Sequence, residues 1–378
     1  MNSKQRVQAA LERKPVDRVP VYVWFHPATA DRFSEMLEIP TAYLGEAMGN
    51  DIRQTWVNNN YGMEGIIHEE DGDSHLDYWG IKWVRQYFFN QIEVYPLEGA
   101  SRQEVLAYKF PFEHIDFLLE LMEPVSAASE DTFIGCDVSP CAFEMYWRLR
   151  GMENGLIEMI SDPELSYTML GRCVDFSIEL SERACSRFPL DWLWTGDDVA
   201  WQGSMIMSPE SWRQLIKPQL ARVFAVGKKY NLWVAYHCCG ALRPIIPDLI
   251  EIGLDILNPV QGNCPGMDPL ELKAEFGDHL TFMGGLDTQY LLPNGSVSEV
   301  RRETDRLIEG MTTGEGGYIL AASHTIPPET PDDNIFAMYE QAGISKEEIF
   351  DRAAVIRKGL NHSQTPELVL GRPKWPPL

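Results

Sequence analysis

Short apolar runs alternate with amphipathic stretches through the second half of this chain, and polar residues gather where the runs stop. "LDWLWTGDDVAWQ" (190–202) precedes a helix opening at Ser208-Pro209-Glu210, with a serine N-cap and a proline at the first helical position. "LWVAYHCCG" precedes a helix around Leu242–Ile252, and "DILNPVQ" precedes the short helix "DPLELKAEFG". "LTFMGGLDTQ" precedes "SVSEVRRETDRLIEGM", after which comes "GGYILAASH". Apolar runs of this length, joined to helices by short connections, read as buried strands of a parallel sheet.

Toward the N-terminus, residues 3–14 carry a helical pattern with Ser3 as N-cap and Pro15 as its stop. "RVPVYVWF" (18–25) reads as a buried strand. Residues 51–100 interleave Gly, Asp and aromatic residues, and "DYWGIKWVRQYFFNQIEVYP" has the pattern of antiparallel hairpins, so a lid-like β-hairpin extension is expected there. Helical patterns fill 101–123 and 144–188 around the strand-like "TFIGCDVSP" (132–140). Such alternation leaves an open doubly wound sheet or a closed (β/α)8 TIM barrel. Asp197, His237, Asn258, Asp287 and His324 all fall just after strands. A barrel gathers every strand's C-terminal end at one mouth, whereas an open sheet does so only near a switch point. No GxGxxG or Walker loop follows the first strand. The expectation is one α/β domain, a (β/α)8 TIM barrel over residues 1–378, carrying 51–100 as the hairpin extension.

Composition then narrows the partners. With 56 Asp and Glu against 32 Lys and Arg, the net charge is −24, the wrong sign for a nucleic-acid backbone or an anionic membrane. Any large partner should offer a basic face. No apolar stretch reaches the roughly eighteen residues of a membrane span, and the N-terminus lacks a signal-like apolar centre, so a cytoplasmic location is expected. Seven cysteines, an odd number without framework spacing, then read as free thiols or metal ligands.

Side chains at i and i+2 of a strand point the same way, so His237 and Cys239 share a face and Cys238 points opposite. An imidazole and a thiolate on one face suit a Zn²⁺ ion, and a third ligand would make a catalytic site with one open position. His324 ends another strand; Cys264, in the loop "QGNCPG", competes for the same place. The alternative is two buried cysteines beside hydrogen-bonded histidines. Asp197 and Asp198 are adjacent, so only one faces the mouth, as a base, a charge stabiliser or the partner of a metal-bound histidine; the pair equally suits a solvated turn. Gln202, Asn258 and Gln261 suit binding of carbonyl or amide groups, and Asp287, after two glycines, suits close approach of a ligand. Trp79 and Trp83 can wall a flat ligand or pack against the body, and "HEEDGDSH" (68–75) reads as a solvated loop.

These residues together resemble the uroporphyrinogen decarboxylase superfamily, in particular its corrinoid-dependent methylcobamide:thiol methyltransferase branch. The resemblance runs through "RVQAALERKPVDRVPV", "NDIRQTW", "DYWGIKW", "TGDDVAWQGSMIMSPESWRQLIKPQLARVFAVGKKY", "HCCGALRPIIPDLIEIGLDILNPVQ" and "GGLDTQYLLPNGSVSEVRRETDRLIEG", in order along the chain. It implies a single barrel with its site at the C-terminal mouth, zinc as metal, a corrinoid such as methylcobalamin as co-substrate, a corrinoid protein as partner, and a small thiol acceptor or methyl donor. Two departures stand out. The parent decarboxylases open with an arginine-rich segment, and here no arginine lies between Arg18 and Arg32. The methyltransferase branch uses His-x-Cys plus a later Cys, and His324 stands where that Cys aligns. Exchange of a thiolate for an imidazole leaves a less electron-rich, more Lewis-acidic ion. A metal-free decarboxylase using an aspartate, or a non-catalytic corrinoid- or tetrapyrrole-binding protein, are the alternatives.

Overall fold

The computed structural model describes residues 1–58, 68, 70–87, 89–313 and 317–362. Among them, ten strands form in chain order: β1 (Ile52–Trp56), β2 (Ser74–Leu76), β3 (Lys82–Gln86), β4 (Phe89–Val94), β5 (Phe133–Asp137), β6 (Trp192–Gly196), β7 (Trp233–His237), β8 (Ile256–Val260), β9 (Thr281–Leu286) and β10 (Tyr318–Ala322). Seven make one curled sheet in the order β1-β5-β6-β7-β8-β9-β10, every pair parallel. The segment read as a strand at 18–25 runs between the two edges. The Tyr22 N–H donates to the Leu320 carbonyl at 3.0 Å, and the Asp51 N–H donates to the Val21 carbonyl at 2.8 Å. It pairs as isolated bridges, Val21 with Leu320 and Phe25 with Ile326, rather than as a regular strand. Pro20 has no N–H to give, which thins the ladder there. The arrangement is that of a TIM-like barrel.

Period-two alternation decides what fills its centre. Ile52, Phe133, Trp192, Trp194, Ala235, Ile256, Met283, Ile319 and Ala321 pack with Tyr22 as one inner cluster, and Val7 and Leu11 of the helix Ser3–Leu11 plug its N-terminal end. Two residues further along β7 and β8, and four along β5, the same inward face carries His237, Asn258 and Asp137. Trp192 takes space that β5 must surrender: a Cβ on Gly135 would lie 1.8 Å from the Trp192 Nε1. At the plugged end Asp51, fully buried, accepts from Arg6 Nη1 at 2.7 Å, Arg18 Nη1 at 2.7 Å, Ser3 Oγ at 2.9 Å and the Val21 N–H at 2.9 Å. One carboxylate thus ties the first helix, the bridging segment and β1 together.

Several expectations are corrected. Asn2, not Ser3, caps the first helix, in a capping box with Gln5; Ser3 is spent on Asp51. The stretch 51–100 is not all hairpin: β1 belongs to the parallel sheet, and only β2, β3 and β4 form an antiparallel three-stranded sheet. Residues 59–67, 69 and 88 of that stretch lie outside the described residues. Trp79 and Trp83 are core residues, and the Trp83 Nε1–H donates to Asp77 Oδ2 at 2.8 Å. The expected cap at Ser208 is present, and Ser296 caps its helix in a capping box with Glu299.

Candidate metal centre at the barrel mouth

β7 ends on His237, and the chain turns immediately through Cys238, Cys239 and Gly240. The turn is held on three sides. The Cys239 N–H donates to Asp198 Oδ1 at 2.8 Å, the Gly240 N–H donates to Gln261 Oε1 at 2.9 Å, and the Ala241 N–H donates to the Trp201 carbonyl at 3.0 Å. Gly240 sits at φ +91°, where a Cβ would meet the Trp201 carbonyl oxygen at 2.5 Å, so only glycine passes here. Cys238 is fully buried on the other side of the strand, as the period of two requires.

The result is a convergence of three donors. Cys239 Sγ lies 3.5 Å from His237 Nε2, and one donor atom from each of His237, Cys239 and His324 lies within 4.8 Å of the other two. The His237 and His324 rings meet edge to face, with centroids 5.9 Å apart. His237 Nδ1 is 2.7 Å from Asn258 Oδ1. An amide oxygen only accepts, so Nδ1 carries the proton and the Nε2 lone pair faces Cys239, the tautomer a metal-binding imidazole needs.

The electrostatics suit a cation. Burial, followed by the Asp198 charge, pushes the Cys239 thiol well above its usual pKa, so alone it stays protonated. The ring of His324 opens to the mouth, yet enough protein surrounds it that desolvation, together with the neighbouring His237, pulls its pKa down. The His324 imidazole, held neutral, and a thiol short of a counter-charge, beside Asp198, leave a donor set with His237 that a divalent ion would complete. Trp24 and Trp194 flank His237, with ring centroids at 6.1 and 6.3 Å, and keep the floor apolar.

The other sequence candidates fall elsewhere. Asp197 accepts from the Phe143 and Glu144 N–H groups at 2.9 and 2.6 Å, capping the helix Phe143–Arg150; it is fully buried. Its neighbour Asp198 is the member of the pair beside the donors. Gln261 holds the Gly240 turn, and Gln202 lies exposed on the loop after β6. Asp287 accepts from the N–H groups of Gln289, Tyr290 and Leu291 in its own turn. Cys264 is buried, with Asn263 Oδ1 3.9 Å from its Sγ, and is not among the three convergent donors.

Sequence reasoning missed Asp137. It is the last inward residue of β5, nearly buried, and accepts from the Ser139 N–H at 2.8 Å. Burial pushes its carboxyl up to about 7, against the Ser139 hydrogen bond and the His237 charge. The signal was present in "FIGCD", where Phe133, Gly135 and Asp137 share a face, but an acid at a strand end looks like any solvated turn. His68 and His75, from the loop expected to be solvated, are 2.8 Å apart through Nε2 and Nδ1.

A family model for uroporphyrinogen decarboxylase (URO-D) matches residues 93–343. Uroporphyrinogen decarboxylase of Thermus thermophilus is 24% identical over 247 residues, covering 64% of this chain and 67% of that enzyme. Methylcobamide:CoM methyltransferase MtaA of Methanosarcina barkeri is 28% identical over 133 residues, covering 35% of this chain and 36% of that enzyme. A solved structure, a methyltransferase from Methanosarcina mazei, superposes with a TM-score of 0.63 at 20% identity, over 91% of this chain and 98% of the other, which makes the fold common to both. With the family model spanning well over half its length, the chain belongs to the uroporphyrinogen decarboxylase family.

Proposed function

We propose that the protein is a zinc-dependent methyltransferase working with a corrinoid on a partner protein, and that it activates a thiol acceptor or a methyl donor at the metal. The observation that carries this reading is the convergence of His237, Cys239 and His324 donor atoms within 4.8 Å. These three residues would hold the ion, and three protein donors is the number that leaves a catalytic zinc one position for substrate. Zinc bound there would supply a Lewis acid that draws electron density from a substrate heteroatom and lowers the pKa of a thiol.

The chain's own residues do the rest. Asn258 fixes the His237 tautomer, Asp198 clamps the Cys239 backbone, and Trp24 and Trp194 exclude water from beneath the reacting atoms. Relatives named as methylcobamide:CoM methyltransferases support the corrinoid as methyl carrier. The net charge of −24 favours a partner with a basic docking face. In this reading residues 1–378 are one barrel domain of a cytoplasmic enzyme, with β2–β4 as its extension. Among the described residues no helix is long and apolar enough to cross a membrane.

Relatives named as decarboxylases raise a second reading, a metal-free decarboxylase. A porphyrinogen rich in carboxylates would meet Asp198 and Glu144 near this mouth, and like charges repel. The test is metal analysis with turnover. Purified protein should hold about one zinc per chain and transfer methyl groups between a corrinoid and a small substrate. Cys239→Ala should lose metal and transfer together. Full metal content in that variant would overturn the ligand assignment.

A further inference from the structure

The loop after β6 and the turns after β7 and β8 enclose a groove of about 570 Å³, lined by Met205, Ile206, Met207, Ala241, Pro244 and Pro265 among others. No charged residue lines it among the described residues. Only Gly240 separates Ala241 from Cys239, so the Cα atoms of those two are at most about 7.6 Å apart. At the lip stands Trp201, 61% exposed yet fixed in place. Its N–H donates to the Ser204 carbonyl at 2.9 Å, its Nε1–H donates to Ser204 Oγ at 2.9 Å, and its carbonyl accepts from the Ala241 N–H at 3.0 Å. The ring lies across Gly203, where a Cβ would come within 3.0 Å of Cζ2. A tryptophan held still in water loses little freedom on binding, and methionines adapt to the shape that meets them; both are properties of an interface. The flanks are acidic. Arg213 and Lys217 are matched by Asp248 at 2.9 and 2.8 Å, Lys217 again by Glu251 at 2.7 Å, and Arg243 by Glu271 and Glu275. Glu210, exposed beside Pro209, has the Gln214 amide as hydrogen-bond partner at 3.1 Å. Carboxylates therefore outnumber cations around an uncharged floor, and the complement is an apolar knob ringed by lysine or arginine.

We propose that this groove is where the corrinoid-carrying protein docks, seating an apolar side chain among Met205, Met207 and Trp201 with its basic residues against the acidic flanks. The inference rests on the methyltransferase reading above. A carrier anchored two residues from Cys239 lies over the barrel mouth, which is where its cofactor has to be for a methyl group to pass at the three donors. A second copy of this chain would instead bring one surface of a protein with net charge −24 against another.

The experiment uses the full chain loaded with zinc and two probes. One is a methylated corrinoid carrier protein from Methanosarcina barkeri, the source of the methyltransferase relative; the other is free methylcobalamin with mercaptoethanol as acceptor. Calorimetry gives the carrier affinity, and the visible spectrum of methylcobalamin gives the rate from the free cofactor. Trp201→Ala should weaken carrier binding about 30-fold, the weight of an anchoring tryptophan, and Met205→Glu should abolish it. Wild-type affinity should fall as salt rises, as an ionic rim requires. Both variants should keep wild-type zinc content and the wild-type rate with free methylcobalamin, because neither side chain is one of the three donors. Carrier affinity unchanged in both variants, affinity indifferent to salt, or a wild type that does not bind the carrier would overturn the docking site. Equal losses with carrier and free cofactor would give the groove to the small substrate, and a wild-type dimer split by Met205→Glu would give it to a second copy; either would overturn the proposal. A wild type that holds no zinc and leaves free methylcobalamin intact would instead defeat the methyltransferase reading, while the carrier affinities, which need no turnover, still decide the groove.

Discussion

Replacing Asn258 with leucine isolates one atom of the centre. The side chain is fully buried, its Oδ1 is 2.7 Å from His237 Nδ1, and its Nδ2 makes no hydrogen bond. Leucine has similar volume, so the variant removes the acceptor and little else. Without it, the His237 Nδ1–H is left unpaired in a dry site, or the proton moves to Nε2 and blocks the lone pair that faces Cys239. Loss of such an outer partner costs about 10- to 100-fold in metal affinity, which is about 1.4 to 2.8 kcal/mol. The Asn258→Asp variant keeps an acceptor and should bind zinc at least as well as wild type. Competition with a chelator of known affinity measures the difference, and circular dichroism of the metal-free proteins checks that each is folded. If Asn258→Leu binds zinc like wild type, or both variants weaken equally, then Asn258 does not set the tautomer.

Two further outcomes follow from the same geometry. Asp137 holds its proton to about pH 7 when folded against an ordinary 3.8, so the folded state binds more protons than the unfolded one between these values. Wild-type stability should therefore fall as pH rises from about 4 to 7 relative to Asp137→Asn, by at most about 4 kcal/mol; a difference in Tm that stays constant from pH 5 to 8 would refute this. Asp51→Ala should cost about 3–5 kcal/mol, because the Arg6 and Arg18 guanidinium groups and the Val21 N–H lose a shared buried partner. Urea unfolding measures it, and a loss under about 1 kcal/mol would show that the carboxylate does not join those elements.

Much of the site was legible because it rests on local stereochemistry. His237 and Cys239 share a face, and Cys238 is turned away, because a strand repeats every two residues whatever surrounds it. Ser208 and Ser296 cap helices where their sequences ask for it. Asp197 was less legible. Whether it faces substrate or caps a helix depends on which helix N-terminus lies opposite, and that belongs to a segment more than 50 residues earlier. β1 was hidden among the hairpins because "IRQTW" carries polar residues at several positions, and only its partner β5, about 80 residues on, makes it a barrel strand.

Taken alone, the chain determined the alternation of strands and helices through its second half, the side chains that share a strand face, and that one strand ends on an imidazole with a thiol two residues on. Those outcomes depend on backbone geometry over a few residues. Only the tertiary structure decided that His324 rather than Cys264 reaches that pair, and that Asn258 stands behind His237. These relations arise when seven parallel strands curl and the 20–26 segment bridges their edges. That curvature reflects the packing of every strand and helix at once, and no stretch of sequence contains it.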